Sequence, residues 1–205
     1  MTAVYPYKGA LYVNLTNRCP CSCVYCIKNK WGWQFRGQDL KLEREPSASE
    51  VVDAVKKADA EAGTPYTEIV FCGYGEPFMR FDIMKVVAEE LKKSGRRIRV
   101  NTTGLINTDG ARELLPDIAG IVDGLSVSLN AATPEDYVRV NRPAAGISAY
   151  ASVLDFIRRA VALGFDVTVT AVEFPGADID GVKKTAEGLG AKFRPRPYLE
   201  EYEDR

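Results

Sequence analysis

Four cysteines stand within eight residues, in the order Cys19-Pro-Cys-Ser-Cys23-Val-Tyr-Cys26. Cys19, Cys23 and Cys26 give the spacing C-x3-C-x2-C, directly after the buried-strand pattern LYVNL at 11–15. Three thiolates on one loop can take three corners of a cubane iron–sulfur cluster, which leaves the fourth iron without a protein ligand. An open metal position of that kind separates catalytic sites from closed structural ones. Cys21 keeps two other readings open, a closed four-cysteine zinc knuckle and a plain electron-transfer cluster. Both need four ligands from a very short loop. In an extended chain positions 19, 21 and 23 share a side, and only 26 remains to close the site. The fifth cysteine, Cys72, reads as a small buried hydrophobe rather than a catalytic thiol. Five cysteines, four of them crowded together, make a poor disulfide framework.

Other segments carry polar chemistry at the ends of strand patterns. Cys72-Gly73-Tyr74-Gly75-Glu76-Pro77 follows the second strand; its glycines permit close backbone approach to a ligand, and its glutamate supplies an anion. RIRVN at 97–101 ends in Asn101, followed by Thr102-Thr103-Gly104. Ser126 and Ser128 share a face of the next strand, and Asn130 follows on that side. Polar groups lining a sheet are costly unless they find partners. Arg194 and Arg196 alternate with prolines and point to one face, as anchors for a substrate carboxylate or phosphate or as parts of a solvated edge.

The cysteine spacing, with Tyr25 just before the last cysteine, resembles the signature of the radical S-adenosylmethionine (radical SAM) superfamily. The resemblance implies that Cys19, Cys23 and Cys26 hold a [4Fe–4S] cluster whose open iron chelates S-adenosyl-L-methionine. One electron from that cluster then cleaves the cofactor to a 5′-deoxyadenosyl radical. By the same resemblance Tyr25 lies near the adenine, and the segment of Gly73, Gly75 and Glu76 receives the methionine ammonium. Asn101, Ser126, Ser128 and Asn130 are then contacts to the cofactor's carboxylate and ribose. Arg142, in VNRP, faces the methionine carboxylate, and Val172-Glu173 lies beside the adenine. Family members do not require Cys21. A flavodoxin- or ferredoxin-like reductant and strongly reducing, anaerobic surroundings are implied as well. The closing RPRPY is similar to the small subgroup associated with TatD-type nucleases.

The elements that must position these residues alternate strand and helix. Strand patterns fall at 11–15, 68–72, 97–101, 124–129, 166–172 and 192–198. Helical spacing covers 47–63, where Ser47 and Glu50 form a capping box, then the segment after Asp82 up to Gly95, and a short stretch near 109–116. Further helices start at Thr133-Pro134, run from Ser148 to Leu163, and span about 179–189. Such a series predicts an α/β fold with a mostly parallel six-stranded sheet. A complete (β/α)8 barrel usually needs ~250 residues, so 205 fits a partial, open-sided (β/α)6 TIM-like barrel, with a flat doubly wound sheet as the alternative. Pro195 and Pro197 confine the last strand to an edge. One domain over 1–205 is expected, with a cluster loop at 16–46 that contains Trp31, Trp33 and Phe35 and no auxiliary cluster domain.

Composition excludes much else. With no histidine, Ser-His-Asp and Cys-His catalysis and HExxH zinc sites are absent. Lysine plus arginine number 27 against 28 acidic residues, so no nucleic acid and no membrane partner is expected from net charge. No apolar run approaches the ~20 residues of a span, and a cytoplasmic location is expected. Two enzymatic readings compete: hydrogen abstraction from a small molecule, or an activating enzyme acting on a partner protein or peptide. A zinc-stabilised binding module is the third, and it leaves GYGEP and the polar strand ends unexplained.

Overall fold

The computed structural model describes residues 2–105 and 114–198. It opens with a hairpin of β1 (Val4–Tyr7) and β2 (Ala10–Val13), followed by α1 (Ile27–Lys30) and a second, two-residue-stranded hairpin of β3 (Gln34–Phe35) and β4 (Gln38–Asp39). Then come α2 (Ala48–Ala62), β5 (Glu68–Phe71), α3 (Phe81–Lys92), β6 (Arg97–Thr102) and β7 (Gly124–Ser128). The series closes with α4 (Pro134–Asn141), α5 (Ser148–Ala162), β8 (Asp166–Val172), α6 (Ile179–Gly188) and β9 (Lys192–Arg196). The fold is α/β, as expected. Positions 109–113 of the helix expected near 109–116 lie outside the described residues, and a 3-10 turn occupies Pro116–Ile118.

The main sheet has seven strands rather than six, in the order β1-β2-β5-β6-β7-β8-β9. All neighbours from β2 to β9 are parallel, and only β1 is antiparallel. The extra strand is joined by Lys8-Gly9, both at positive φ (48° and 79°), as a two-residue hairpin turn of the primed type requires. Pro6 is tolerated in β1 because that strand is an edge. The other edge is β9, where the prolines placed it.

Period-two alternation sorts this sheet into two unlike faces. Leu11, Val13, Ile69, Phe71, Ile98, Val100, Leu125, Val127 and Val169 are all at most 1% exposed, and they pack with Val51, Val55, Met84, Val153, Ile157 and Val182 of the helices. Each such burial is worth roughly 1.5–3 kcal/mol. The intervening residues, among them Tyr12, Arg99, Asn101, Ser126 and Thr168, line a cavity instead. Both sheet edges contribute to that one cavity, through Tyr7 and Tyr12 on one side and Arg194 and Arg196 on the other, so the open sheet curls around it. A doubly wound sheet would carry helices on both faces; this one does not.

The helix ends follow local chemistry. Ser47 accepts from the Glu50 amide at 3.3 Å, Glu50 accepts from the Ser47 amide at 2.8 Å, and Gly63 at φ 73° ends α2. Asp82 sits in the first turn of α3 and does not cap it, because a 3-10 turn over Pro77–Arg80 runs straight into the helix. Thr133 caps α4. The second half of the expected 16–46 loop is partly structured: Trp33 and Phe35 pack with Ile27 against Tyr5, Tyr74 and Leu40, and Phe35, Ile27 and Leu40 wall the cavity at the β1–β2 edge.

Candidate active site

The cavity has a volume of about 570 Å³ and is lined along the sheet face up to the carboxyl ends of the parallel strands, at Cys72, Ser128 and Val172. Cys19, Cys23 and Cys26 all line it, and none is in a disulfide. Cys21 is 5% exposed, contributes no wall to the cavity, and bridges Pro143 through its backbone. The neighbouring Cys21 thiol lowers the Cys19 and Cys23 thiols and is itself raised by them, while burial raises Cys26. A zinc ion would need its thiolates gathered about one point at ~2.3 Å. No three His, Cys, Asp or Glu side chains among the described residues converge in that way. Three free thiols on the wall of one cavity, with Cys21 buried off that wall, fit a cubane cluster with one open iron.

The cysteine loop is clamped from both sides. Its start crosses the β5–α3 turn so closely that a Cβ on Gly75 would stand 2.2 Å from the Thr16 carbonyl oxygen, and one on Gly73 would stand 2.1 Å from Asn14 Oδ1. The glycines at 73 and 75 are thus demanded by packing between two chain segments. Glu76 donates its amide to the Arg18 carbonyl at 2.8 Å, and Thr16 donates its hydroxyl to Glu45 at 2.6 Å. Arg18 and Arg80 both pair with Glu45, at 2.8 and 3.0 Å. On the other side, the amides of Ser22 and Val24 bond the carbonyls of Asn141 and Val140 at 3.1 and 2.9 Å, and Ala144 donates to Pro20 at 2.9 Å.

Asn141, which sequence reasoning missed, is the hub of that second clamp. Its amide nitrogen donates to the Leu129 carbonyl at 3.2 Å. Its Oδ1 accepts from the Tyr25 hydroxyl, from Asn130 Nδ2 at 3.1 Å and from the Cys23 thiol at 3.6 Å. The signal was present in the helical spacing: Tyr137, Val140 and Asn141 form the buried face of α4, and a lone amide on such a face must find partners inside.

The expected cofactor contacts divide into two groups. Tyr25, Gly73, Gly75, Glu76, Asn101, Ser126 and Ser128 all line the cavity, as does Val172. Glu76 is 2% exposed; burial raises its carboxyl, while hydrogen bonds from the Thr103 amide (2.7 Å), the Thr102 hydroxyl (2.9 Å) and the Phe78 amide (3.2 Å) pull it down. Asn130, Arg142 and Glu173 do not line it. Asn130 is buried at φ 62°, and its Oδ1 accepts from the Val172 amide at 3.1 Å, tying the ends of β7 and β8 together. Arg142 is exposed at φ 44° and ends α4. Arg194 and Arg196 line the cavity from β9. Cys72 lines it as well, its thiol raised by burial.

A family model for the radical SAM superfamily matches residues 13–189, which spans the cysteine loop and every strand from β3 to β8. The chain belongs to the radical SAM superfamily. With membership come an enzymatic role and the two expected cofactors, a [4Fe–4S] cluster and S-adenosylmethionine. The matching model is that of the superfamily and does not single out the TatD-associated subgroup.

Among curated relatives, the tungsten-containing aldehyde ferredoxin oxidoreductase cofactor-modifying protein of Pyrococcus furiosus is 30% identical over 68% of this chain and 36% of its own length. A probable dual-specificity RNA methyltransferase RlmN of Prochlorococcus marinus is 32% identical over 43% of this chain and 24% of its own. The chain therefore spans about a third or less of these relatives. Among solved structures, a radical SAM methyltransferase from Sphaerobacter thermophilus superposes with a TM-score of 0.60 at 18% identity, over 95% of this chain and 68% of that one. Streptococcus suis SuiB bound to S-adenosylmethionine gives 0.64 at 15% identity, over 93% and 39%. These likenesses share the fold. A near-neutral net charge does not by itself exclude nucleic acid, since a global balance says nothing of a local cationic cluster, and a probable RNA methyltransferase is among the relatives. No helix among the described residues is long and apolar enough to cross a membrane.

Proposed function

We propose that the chain initiates radical chemistry at the cavity and abstracts hydrogen from a small molecule held beneath the cysteine loop. The observation that carries this reading is the common cavity of Cys19, Cys23 and Cys26 with Tyr25 and the Gly73–Glu76 turn. When bound, the cluster and S-adenosylmethionine together supply a 5′-deoxyadenosyl radical. The chain's own part is to hold and shield. Cys19, Cys23 and Cys26 are the ligands; the backbone of 73–75 and the Glu76 carboxylate receive the cofactor's ammonium; Asn101, Ser126 and Ser128 meet its carboxylate and ribose. Asn130 and Asn141 act from behind, keeping Tyr25 and the loop in register. Arg142 meets the methionine carboxylate only by a change of its exposed position. A flavodoxin- or ferredoxin-like protein is the electron source. The whole is one domain in the cytoplasm.

Anaerobically reconstituted protein, given dithionite and S-adenosylmethionine, should yield 5′-deoxyadenosine by mass spectrometry, and Cys23→Ala should not. A colourless protein that takes up zinc and no iron would refute the reading. A peptide substrate is the second reading, favoured by the likeness to SuiB bound to its precursor peptide, at a TM-score of 0.67 and 14% identity. It requires a mass-shifted protein or peptide among the products.

A further inference from the structure

Charges on the cavity face of the sheet fall into two rows. In the lower row, at the strand starts, Arg97 pairs with Asp166 at 2.7 Å and with Glu68 at 3.4 Å, Arg99 pairs with Glu68 at 3.1 Å, and Lys192 pairs with Asp166 at 2.7 Å. Above it stand Arg194 and Arg196, with no acidic partner among the described residues. Among the described residues, the two carboxylates on the cavity wall are Glu68 and Glu76. Glu68 is taken by Arg97 and Arg99, and Glu76 by the Thr102 hydroxyl and the amides of Phe78 and Thr103. Neither can neutralise the upper row.

The upper row is also built to stay where it is. Arg194 pairs with Thr170 and Arg196 with Val172 in the β8–β9 register, so both side chains leave the same face about 7 Å apart along the strand. Each precedes a proline, and a residue before proline is confined to extended backbone. The backbone that carries both guanidiniums is thereby fixed in extended form, and both side chains line the cavity. Burial first, and then the neighbouring Arg196 and Arg99, lower the Arg194 guanidinium.

We infer that the substrate is a small organic anion whose phosphate or carboxylate docks on Arg194 and Arg196, with its reacting carbon directed toward the cysteine end of the cavity. This rests on the radical SAM reading of the same cavity. A phosphate or carboxylate matches the planar fork of arginine, and paired forks hold either one in a set orientation. The spacing suits one phosphate bridged by both arginines or two carboxylates taken one each.

The test is calorimetric titration of inorganic phosphate, and separately of succinate, into the iron-reconstituted protein saturated with S-adenosylmethionine. Binding of either probe, weakened about tenfold or more in Arg194→Gln/Arg196→Gln, is expected, and the probe that binds tells phosphate from carboxylate. Arg158→Gln, on the exposed face of α5, should bind like the wild type, and Arg194→Lys/Arg196→Lys should recover part of the affinity. Thermal melts exclude misfolding as the cause. Equal affinity in the glutamine variant, or no affinity for either probe in the wild type, overturns the inference. So does weakened S-adenosylmethionine binding in the glutamine variant, which would assign the pair to the cofactor. 5′-Deoxyadenosine formation is followed in the same samples: if it persists while anion binding is absent, this inference fails alone, and if it is absent in the wild type, the functional reading fails.

Discussion

On the helix-facing side of the sheet, Ile98, Val100, Leu125 and Val127 are sealed beneath helices; one residue along in each strand, Arg99, Asn101, Ser126 and Ser128 look into the cavity. The same backbone thus serves two solvents. The sealed face supplies nearly all of the burial and is indifferent to chemistry beyond volume and polarity. The open face buries little hydrocarbon and instead spends hydrogen bonds and ion pairs on position. A substitution should reveal its face by what it damages.

The largest effect is expected on the sealed side. Ile98→Ala, at 0% exposure, should lose about 2–5 kcal/mol in urea unfolding, with residual folded protein still binding iron. Ser126→Ala, on the open face of the adjoining strand β7, should unfold within about 1 kcal/mol of the wild type and alter cofactor affinity instead. Equal losses in the two variants would erase the distinction.

Gly75→Ala tests the seam between the faces. Its Cβ would stand 2.2 Å from the Thr16 carbonyl, so either the cysteine loop or the β5–α3 turn must move. The expected cost is about 1–3 kcal/mol, with iron uptake on reconstitution falling further than stability. Unchanged iron content would show that the seam does not position the thiols. Asn141→Ala removes the acceptor shared by Tyr25, Asn130 and Cys23 and should cost about 1–3 kcal/mol. The readout specific to positioning is a change in the electron paramagnetic resonance line shape of the reduced cluster, which a loss of stability alone would not produce.

The smallest effect belongs to the lower row of charges. Lys192 and Arg97 hold the Asp166 carboxyl below the usual aspartate value. A lowered folded pKa adds stability that is present above the unfolded value, near ~4, and is lost as pH falls through the folded one. Asp166→Asn should therefore cost at most about 1 kcal/mol at pH 7 and flatten the fall in stability below about pH 4. Urea midpoints from pH 6 to pH 3 decide it, and an unchanged slope would remove Asp166 from the account.

Much of this was legible in the sequence, and the reasons differ by element. β8 was readable to the residue because DVTVTAV alternates in a long, uninterrupted strand. The capping box of α2 and the edge position of β9 were also legible, because each depends on residues adjacent in the chain. β1 was missed: four residues with a proline carry too little pattern, although Lys8-Gly9 marked the turn. At the site, Cys19, Cys23, Cys26, Tyr25 and the GYGEP turn were brought to one cavity as their spacing suggested. Asn141 and the aromatic wall of Tyr5, Tyr7 and Tyr12 were not foreseen. Their roles come from contacts across long stretches of chain, as between Tyr25 and Asn141, which no local rule encodes.

The prolines of β9 have a further consequence. Arg196 accepts the Glu173 amide through its carbonyl, so the even-numbered residues of this strand turn their backbone groups toward β8 and the odd-numbered ones turn theirs outward. Pro195 and Pro197 occupy outward positions, where an N–H would otherwise face solvent. The outer edge therefore offers a foreign strand carbonyls but no amide at these two places, and an incoming chain could not complete a ladder there. A sheet that must leave one side open to admit its ligand thereby avoids becoming a template for its own aggregation, even in a crowded solution where edges meet often.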